Sequence, residues 1–409
     1  PGAAISLAPI ADTGFAVGGG ANVGCSPNQL FSIALDSGKA YVTHVCASPQ
    51  GPVNPLTNLF AAISVIDLPA NTENTSNVGT AALSRLIAAQ EVNPGTGSLL
   101  GVPIGIDFKA PGIAYVVSQA ADTVQRVAYN AGATPPIRLG TSGAFAQIPL
   151  ATNGAAGGTA TKVPIGLVAA HQGSSTVLYV NNWIDRSVTV VDLNAQSVDT
   201  VMRSENLPAV GSQADRELKG KRFYFTGTGR WATRGVNSCG SCHPDGLSDN
   251  LTWVFAAGPR QTTPMDGTFS KANGEQRALN WTAIFDEVHD FELNTRGTAG
   301  GVGALVSAAA PANANRLDLG VAISLDGGAQ LTRNDFLSGS TQQLMFARSV
   351  LRDWEEINEF SKTIRANRAP SNLSAADVAA GAALFSQGRC QNCHGGSQWT
   401  VSRVSFAPQ

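Results

Sequence analysis

Pro164-Ile165-Gly166-Leu167, Leu178-Tyr179-Val180-Asn181-Asn182 and Ser187-Val188-Thr189-Val190-Val191-Asp192-Leu193 are three short runs, apolar or alternating, set apart by turn residues. Alternation with a period of two places successive side chains on opposite faces of a strand. The same triplet stands earlier as Pro103-Ile104-Gly105-Ile106-Asp107, Ala114-Tyr115-Val116-Val117-Ser118 and Asp122-Thr123-Val124-Gln125-Arg126-Val127. A still earlier copy reads Leu30-Phe31-Ser32-Ile33-Ala34, Ala40-Tyr41-Val42-Thr43-His44 and, after an insertion, Ile63-Ser64-Val65-Ile66-Asp67-Leu68. A unit of short strands recurring along the chain is how the blades of a β-propeller read. Gly and Pro, 44 and 21 in the chain, recur as short turns in this half and mark the strand ends.

Tyr41-Val42-Thr43-His44 and Tyr179-Val180-Asn181-Asn182 resemble the Tyr-Val-Thr-Asn signature of YVTN-type β-propellers. Residues 1–205 are therefore expected to be an all-β propeller region, and an incomplete one, since about three blades and a leading fragment are legible. Blades must close into a ring to remove their edges, so the remainder is expected from an N-terminal part or from a neighbour. The chain begins mid-element at Pro1-Gly2-Ala3-Ala4, which reads as a mature or trimmed product.

Beyond a polar linker at 206–216, the chain carries Cys239-Gly240-Ser241-Cys242-His243 and Cys390-Gln391-Asn392-Cys393-His394. In a Cys-x-x-Cys-His run two thiols can add to the vinyl groups of a haem while the adjoining imidazole ligates its iron. The expectation is two covalently bound haem c groups, attached at Cys239, Cys242, Cys390 and Cys393, with His243 and His394 as proximal iron ligands. A four-thiolate zinc site and a redox dithiol are the alternatives. Zinc leaves both histidines as bystanders, and no βαβ pattern surrounds either run.

A formal net charge of −2 with no run of Lys or Arg leaves no electrostatic footprint for nucleic acid or an anionic membrane. No apolar run reaches transmembrane length. The two remaining cysteines, Cys25 and Cys46, are expected to form a disulfide in an oxidising compartment, periplasmic, extracellular or at the cell surface.

Each Cys-x-x-Cys-His run is preceded by a Gly-x-x-x-aromatic element, Gly220-Lys221-Arg222-Phe223-Tyr224 and Gly381-Ala382-Ala383-Leu384-Phe385. The second opens at Ser374-Ala375-Ala376-Asp377, a capping-box-like helix start. Together with Asp245-Gly246-Leu247-Ser248-Asp249 after the first run and Gly395-Gly396 and Trp399-Thr400 after the second, these stretches look like the two modules of the bacterial dihaem cytochrome c peroxidase and MauG-like family. The resemblance covers about 217–409. It implies a mostly α-helical dihaem region, with a first module at 217–370 and a second, truncated one at 371–409.

Distal ligands decide whether a haem carries electrons or meets peroxide. The candidates are His289, on the edge of an expected helical face of Trp281, Ile284, Phe285 and Val288, then Met265 on a turn-rich loop, and Met345. His289 has two other readings, a core-edge histidine bonded to a nearby carboxylate, or a case in which either His289 or Glu292 acts as acid/base over an open iron. Met265 and Met345 are equally core filler, and His44 and His171 fall in blades or loops. The Gly/Ala-rich stretch 297–314 reads as a loop. The function expected is single-electron transfer outside the cytoplasm with redox partner proteins. A dihaem peroxidase or MauG-like oxidase is the enzymatic alternative, and a propeller-mediated binding protein the third, with an oligomer or larger assembly open.

Overall fold

Each alternating triplet folds as an antiparallel meander. β1 (Ser26–Asp36), β2 (Lys39–Ala47), β3 (Leu59–Asp67) and the short β4 (Thr72–Glu73) form the first four-stranded sheet in chain order. The second contains β5 (Pro103–Ala110), β6 (Ile113–Ser118), β7 (Thr123–Tyr129) and β8 (Ile137–Leu139), with β9 (Gln147–Pro149) also pairing with β7. β10 (Pro164–Ala169), β11 (Val177–Asn182), β12 (Ser187–Asp192) and β13 (Ser197–Arg203) make the third. The computed structural model describes residues 4–395 except 75–81, 92, 134–135, 140–146, 151–160, 171–175, 229–230, 257, 270–275, 278, 282–284, 286, 302–347 and 366–369.

Reversal between strands requires positive φ, which Gly adopts without a Cβ clash. Gly38 (φ 73°) and Gly112 (φ 72°) supply it between β1 and β2 and between β5 and β6. At Gly112 a Cβ would stand 2.8 Å from the Tyr129 carbonyl oxygen, so the turn also needs the space.

The pleat then sorts the side chains into two apolar seams. Tyr41, Ile63 and Val65 of the first sheet pack on Ile106, Phe108 and Val116 of the second. From the opposite face of the second sheet, Tyr115, Val117 and Val124 pack on Leu178, Val180 and Val191 of the third. Each such buried Ile, Leu or Val contributes about 1.5–3 kcal/mol relative to exposure. β5 touches β1 on one side and β10 on the other, so the sheets follow one another face to face as propeller blades do. The propeller-like β region expected from the repeat is present.

The fourth strand of each blade, absent from the triplet pattern, is an addition. Cys25 and Cys46 are joined by a disulfide, as expected, which ties the segment before β1 to β2. α1 (Leu83–Gln90) follows the first blade and buries Leu83, Leu86 and Ile87 in the first seam.

Among the described residues the architecture is mostly β sheet with few helices. After Arg203 stand α2 (Gln213–Phe225), the single turn α3 (Cys239–Cys242), the hairpin β14 (Thr252–Phe255) and β15 (Gly258–Gln261), α4 (Glu292–Ala299), α5 (Arg348–Ser361) and α6 (Ala375–Gln387). These do not assemble into the mostly α-helical dihaem region that was expected. α2 packs on α5, whereas α6 packs on the turn that follows it and, among the described residues, buries none of its own.

The expected helical face around His289 is likewise corrected. Trp281 lies in a turn and is 61% exposed, and Val288–Phe291 form a 3-10 turn; Ile284 is outside the described residues. Of the stretch 297–314, the first residues close α4 on Gly300 (φ 75°), and 302–314 are outside the described residues.

Candidate functional site

α2 begins where Ser212 accepts a hydrogen bond from the Asp215 backbone N–H at 3.2 Å, and Lys219 pairs with Asp215 one turn on at 3.0 Å. Its C-terminal end buries Phe223, Tyr224 and Phe225. Gly220 lies flush against α5, with a Cβ at that position only 1.7 Å from the Glu356 carbonyl oxygen.

Tyr224 reaches out of this packing to the Cys239–His243 turn, its hydroxyl 3.0 Å from the His243 carbonyl oxygen and 3.2 Å from Met265 Sδ. The turn is closed by a Ser238–Ser241 capping box. The Met265 N–H bonds the Gly246 carbonyl at 2.8 Å, so Met265 sits beside the turn as part of the apolar cluster around Cys239.

That cluster comprises Val163, Ile184, Tyr224, Phe225, Phe360 and Ile364. Cys242 faces the other way, onto Val45, Leu59 and Trp253 beside the first blade. Burial pushes the Cys239 thiol up to about 11, and burial, then Asp249 and Cys239, raise Cys242 well above the ordinary thiol range. Both are protonated and weakly nucleophilic at neutral pH. Burial lowers the pKa of His243, which favours the neutral imidazole. Its Nδ1 lies 3.3 Å from the Leu247 carbonyl oxygen, and hydrogen bonds to the Leu247 and Thr263 backbones work against the effect of burial.

Close by, Lys221 stands 3.2 Å from the centroid of the Trp183 ring. Burial brings its pKa down to about 8.

The second run lies in different surroundings. α6 starts as its sequence indicates, Ser374 Oγ accepting the Asp377 N–H at 3.0 Å. It ends at Gln387, and Arg389, in left-handed backbone (φ 55°), leads into the 3-10 turn Cys390–Asn392. Cys390, Cys393 and His394 are all exposed, with no apolar wall described around them.

The structure does not bring the other candidates together. His289 Nε2 is 2.9 Å from Glu287 Oε2, the carboxylate-bonded arrangement that the sequence left open. Glu292 is buried and accepts the Trp354 Nε1–H at 2.7 Å, bridging α4 to α5. Met345 and His171 lie outside the described residues. His44 is buried in β2, with Nε2 3.1 Å from Ser64 Oγ and Nδ1 3.2 Å from the Val45 carbonyl oxygen.

Sequence reasoning missed the groups that hold the first turn. Tyr224 carried a signal, the aromatic of the Gly-x-x-x-aromatic element. Gln29 and Asn28 carried none, because their approach depends on how the first blade folds against residue 241 and beyond.

No family model matches the chain, and no curated protein matches it. It is similar over part of its length to solved structures of propeller proteins. Hydrazine synthase of Kuenenia stuttgartiensis is 14% identical over 43% of this chain and 49% of that one, with a TM-score of 0.23. Apo AztD from Citrobacter koseri is 11% identical over 47% and 38%, with a TM-score of 0.21. The periplasmic gluconolactonase PpgL of Pseudomonas aeruginosa is 15% identical over 45% and 54%, with a TM-score of 0.21. The chain spans about half the length of these structures or less, and no activity is carried over from them.

Two expectations are corrected here. The resemblance to the dihaem cytochrome c peroxidase and MauG-like family does not stand, because the described residues gather no set of His, Cys, Asp or Glu that could hold a metal ion. The expectation of two covalently bound haem c groups is also corrected. Among the described residues no group of three or more His, Cys, Asp or Glu gathers that could hold a metal ion. The first run is packed with protein side chains, and the second is open to solvent.

Proposed function

We propose that this protein is a propeller-based binding protein that works outside the cytoplasm, its blades docking a protein partner. The observation that carries the reading is the apolar face left open on the third blade. Val168 pairs with Tyr179 and Tyr179 with Val190, while Met202 pairs with Val188 on the same face. Val168, Tyr179 and Met202 are 52%, 38% and 49% exposed. The opposite face of that sheet is the buried seam with the second blade. On the first blade Leu30, Ile33 and Leu35 are 59%, 62% and 68% exposed. Apolar side chains gathered on one face mark interaction surfaces, and blade faces are built to be covered.

The division into a propeller region at 1–205, a linker at 206–216 and following parts at 217–370 and 371–409 belongs to the same proposal. So does the compartment. A disulfide persists where conditions are oxidising, and no helix among the described residues is long and apolar enough to cross a membrane.

The test places a photo-crosslinking amino acid at Tyr179 in the full chain, with a control at the exposed, polar Asn194. The expected result is a discrete adduct from position 179 that is absent at 194 and disappears when Val168→Glu and Met202→Glu are added. The same adducts from both positions would overturn the reading.

A further inference from the structure

The first blade does more than add a sheet to the propeller. β1 and β2 pair with register shifts between Asn28 and Leu30 and again between Leu30 and Ser32, and Gln29 between them has φ 36°. A non-glycine residue with positive φ inside a strand is strained and persists only where surrounding contacts hold it. A bulge also re-aims side chains away from the alternating pattern. Here the re-aimed side chains leave the sheet. Gln29 Nε2 donates to the Ser241 carbonyl oxygen at 2.6 Å, inside the Cys239–His243 turn. Asn28 Nδ2 donates to the Asp249 carbonyl oxygen at 3.2 Å, just beyond it.

We infer that the bulge at Asn28–Leu30 is a positioning device, in which Gln29 and Asn28 bracket the Cys239–His243 turn and hold the His243 imidazole in register on the first blade.

The surrounding contacts agree with this assignment. The Asp249 N–H bonds the Cys242 carbonyl oxygen at 3.0 Å, so the two bracketed points are joined across the loop. The Asp249 carboxylate accepts the Trp253 Nε1–H at 3.0 Å, and Trp253 is buried with Val45, Ala47 and Leu59 of the first blade. Farther on, the Val254 N–H bonds the Pro49 carbonyl oxygen at 3.1 Å, in the insertion between β2 and β3. Gln29 is the strained member of this set, and its Oε1 is buried without a hydrogen-bond partner. The residue is therefore held for its amide N–H rather than for its own comfort. This inference is independent of what the propeller binds.

The test uses the full chain and two variants. Gln29→Glu keeps the length of the side chain but removes the donor, and Gln29→Gly relieves the backbone strain while removing the side chain. Hydrogen–deuterium exchange is read peptide by peptide, with the His243 ring signals followed by NMR. For one lost hydrogen bond, both variants are expected to exchange about five- to ten-fold faster across 239–250. β2 and β3 should stay at wild-type rates, and the His243 signals should shift in both variants. Unchanged exchange at 239–250 in Gln29→Glu would overturn the inference. So would an equal acceleration in β2 and β3, which would make Gln29 an ordinary structural residue of the blade.

Discussion

Asp122 shows what a single carboxylate does when the fold surrounds it. It sits at the turn into β7 with positive φ (48°). Its two oxygens accept the backbone N–H groups of Lys162 and Val163 at 2.9 and 2.7 Å. Burial raises its pKa from 3.8 to about 7, although the two hydrogen bonds and the charges of Lys162 and Arg222 pull the other way. A carboxyl whose folded pKa lies above its unfolded one stabilises the protein fully below the unfolded value, and that stability is lost as pH rises through the folded value. The window here runs from about pH 4 to pH 7, at roughly 1.4 kcal/mol per unit at most. Asp122→Asn stays neutral throughout and imitates the protonated acid. Thermal unfolding of wild type and variant across pH 4–8 is expected to show their difference shrinking, or reversing sign, as pH rises. A constant difference would place the ionised carboxylate in solvent.

At the scale of elements, one local pattern has two outcomes. Gly220 and Gly381 stand in the same Gly-x-x-x-aromatic setting on α2 and α6. At Gly220 a Cβ would run into the α5 backbone, whereas at Gly381 nothing lies within 4 Å. Gly220→Ala is therefore expected to force the helices apart and to cost about 1–3 kcal/mol. Gly381→Ala should be neutral, or add up to about 1 kcal/mol of helix stability. Chemical denaturation with circular dichroism checks both, and equal effects would mean that the two helices share one environment.

The pair also shows what the sequence could and could not reveal. Helix formation at 375–387 was legible from its cap and its alanines, because those effects are local. That Gly220 lies against another helix and Gly381 does not was illegible, because the partner helix is more than a hundred residues away. The strands of the blades were legible where apolar alternation was strong, as in β2, β6, β11 and β12. The closing strands were missed, since β4 is two residues long, β8 is three, and β13 is largely exposed. The Cys239–His243 turn could be picked out by residue type alone. Its surroundings, with one thiol against Phe225 and Phe360 and the other against Trp253, come from chain segments that no spacing rule connects.

At the scale of the whole molecule, the disulfide joins the segment before β1 to the middle strand of the first blade. Cys25 lies beside Ile10, Phe60 and Ala62 in a small apolar cluster, and the Ile10 and Cys25 backbones bond each other at 2.8 and 2.9 Å. The first blade depends on this segment because, among the described residues, no blade lies over one of its faces; Leu7 packs there on Ala40, Val42 and Ile66. The bond closes a loop with a separation of 21 residues, for which chain entropy in the unfolded state suggests about 3 kcal/mol. The blade also supplies Gln29, Asn28 and the seat of Trp253, so loosening it should be felt at the distant Cys239–His243 turn. Removing the bond with Cys25→Ala and Cys46→Ala is expected to lower the unfolding midpoint, leaving the variant insensitive to a reductant that lowers the wild-type midpoint. Hydrogen exchange should rise at 5–16 and at 239–250 and stay low in β11 and β12, which pack on the second blade. A uniform rise across all three blades would instead show that the sheets unfold as one cooperative unit, with no separate role for the first.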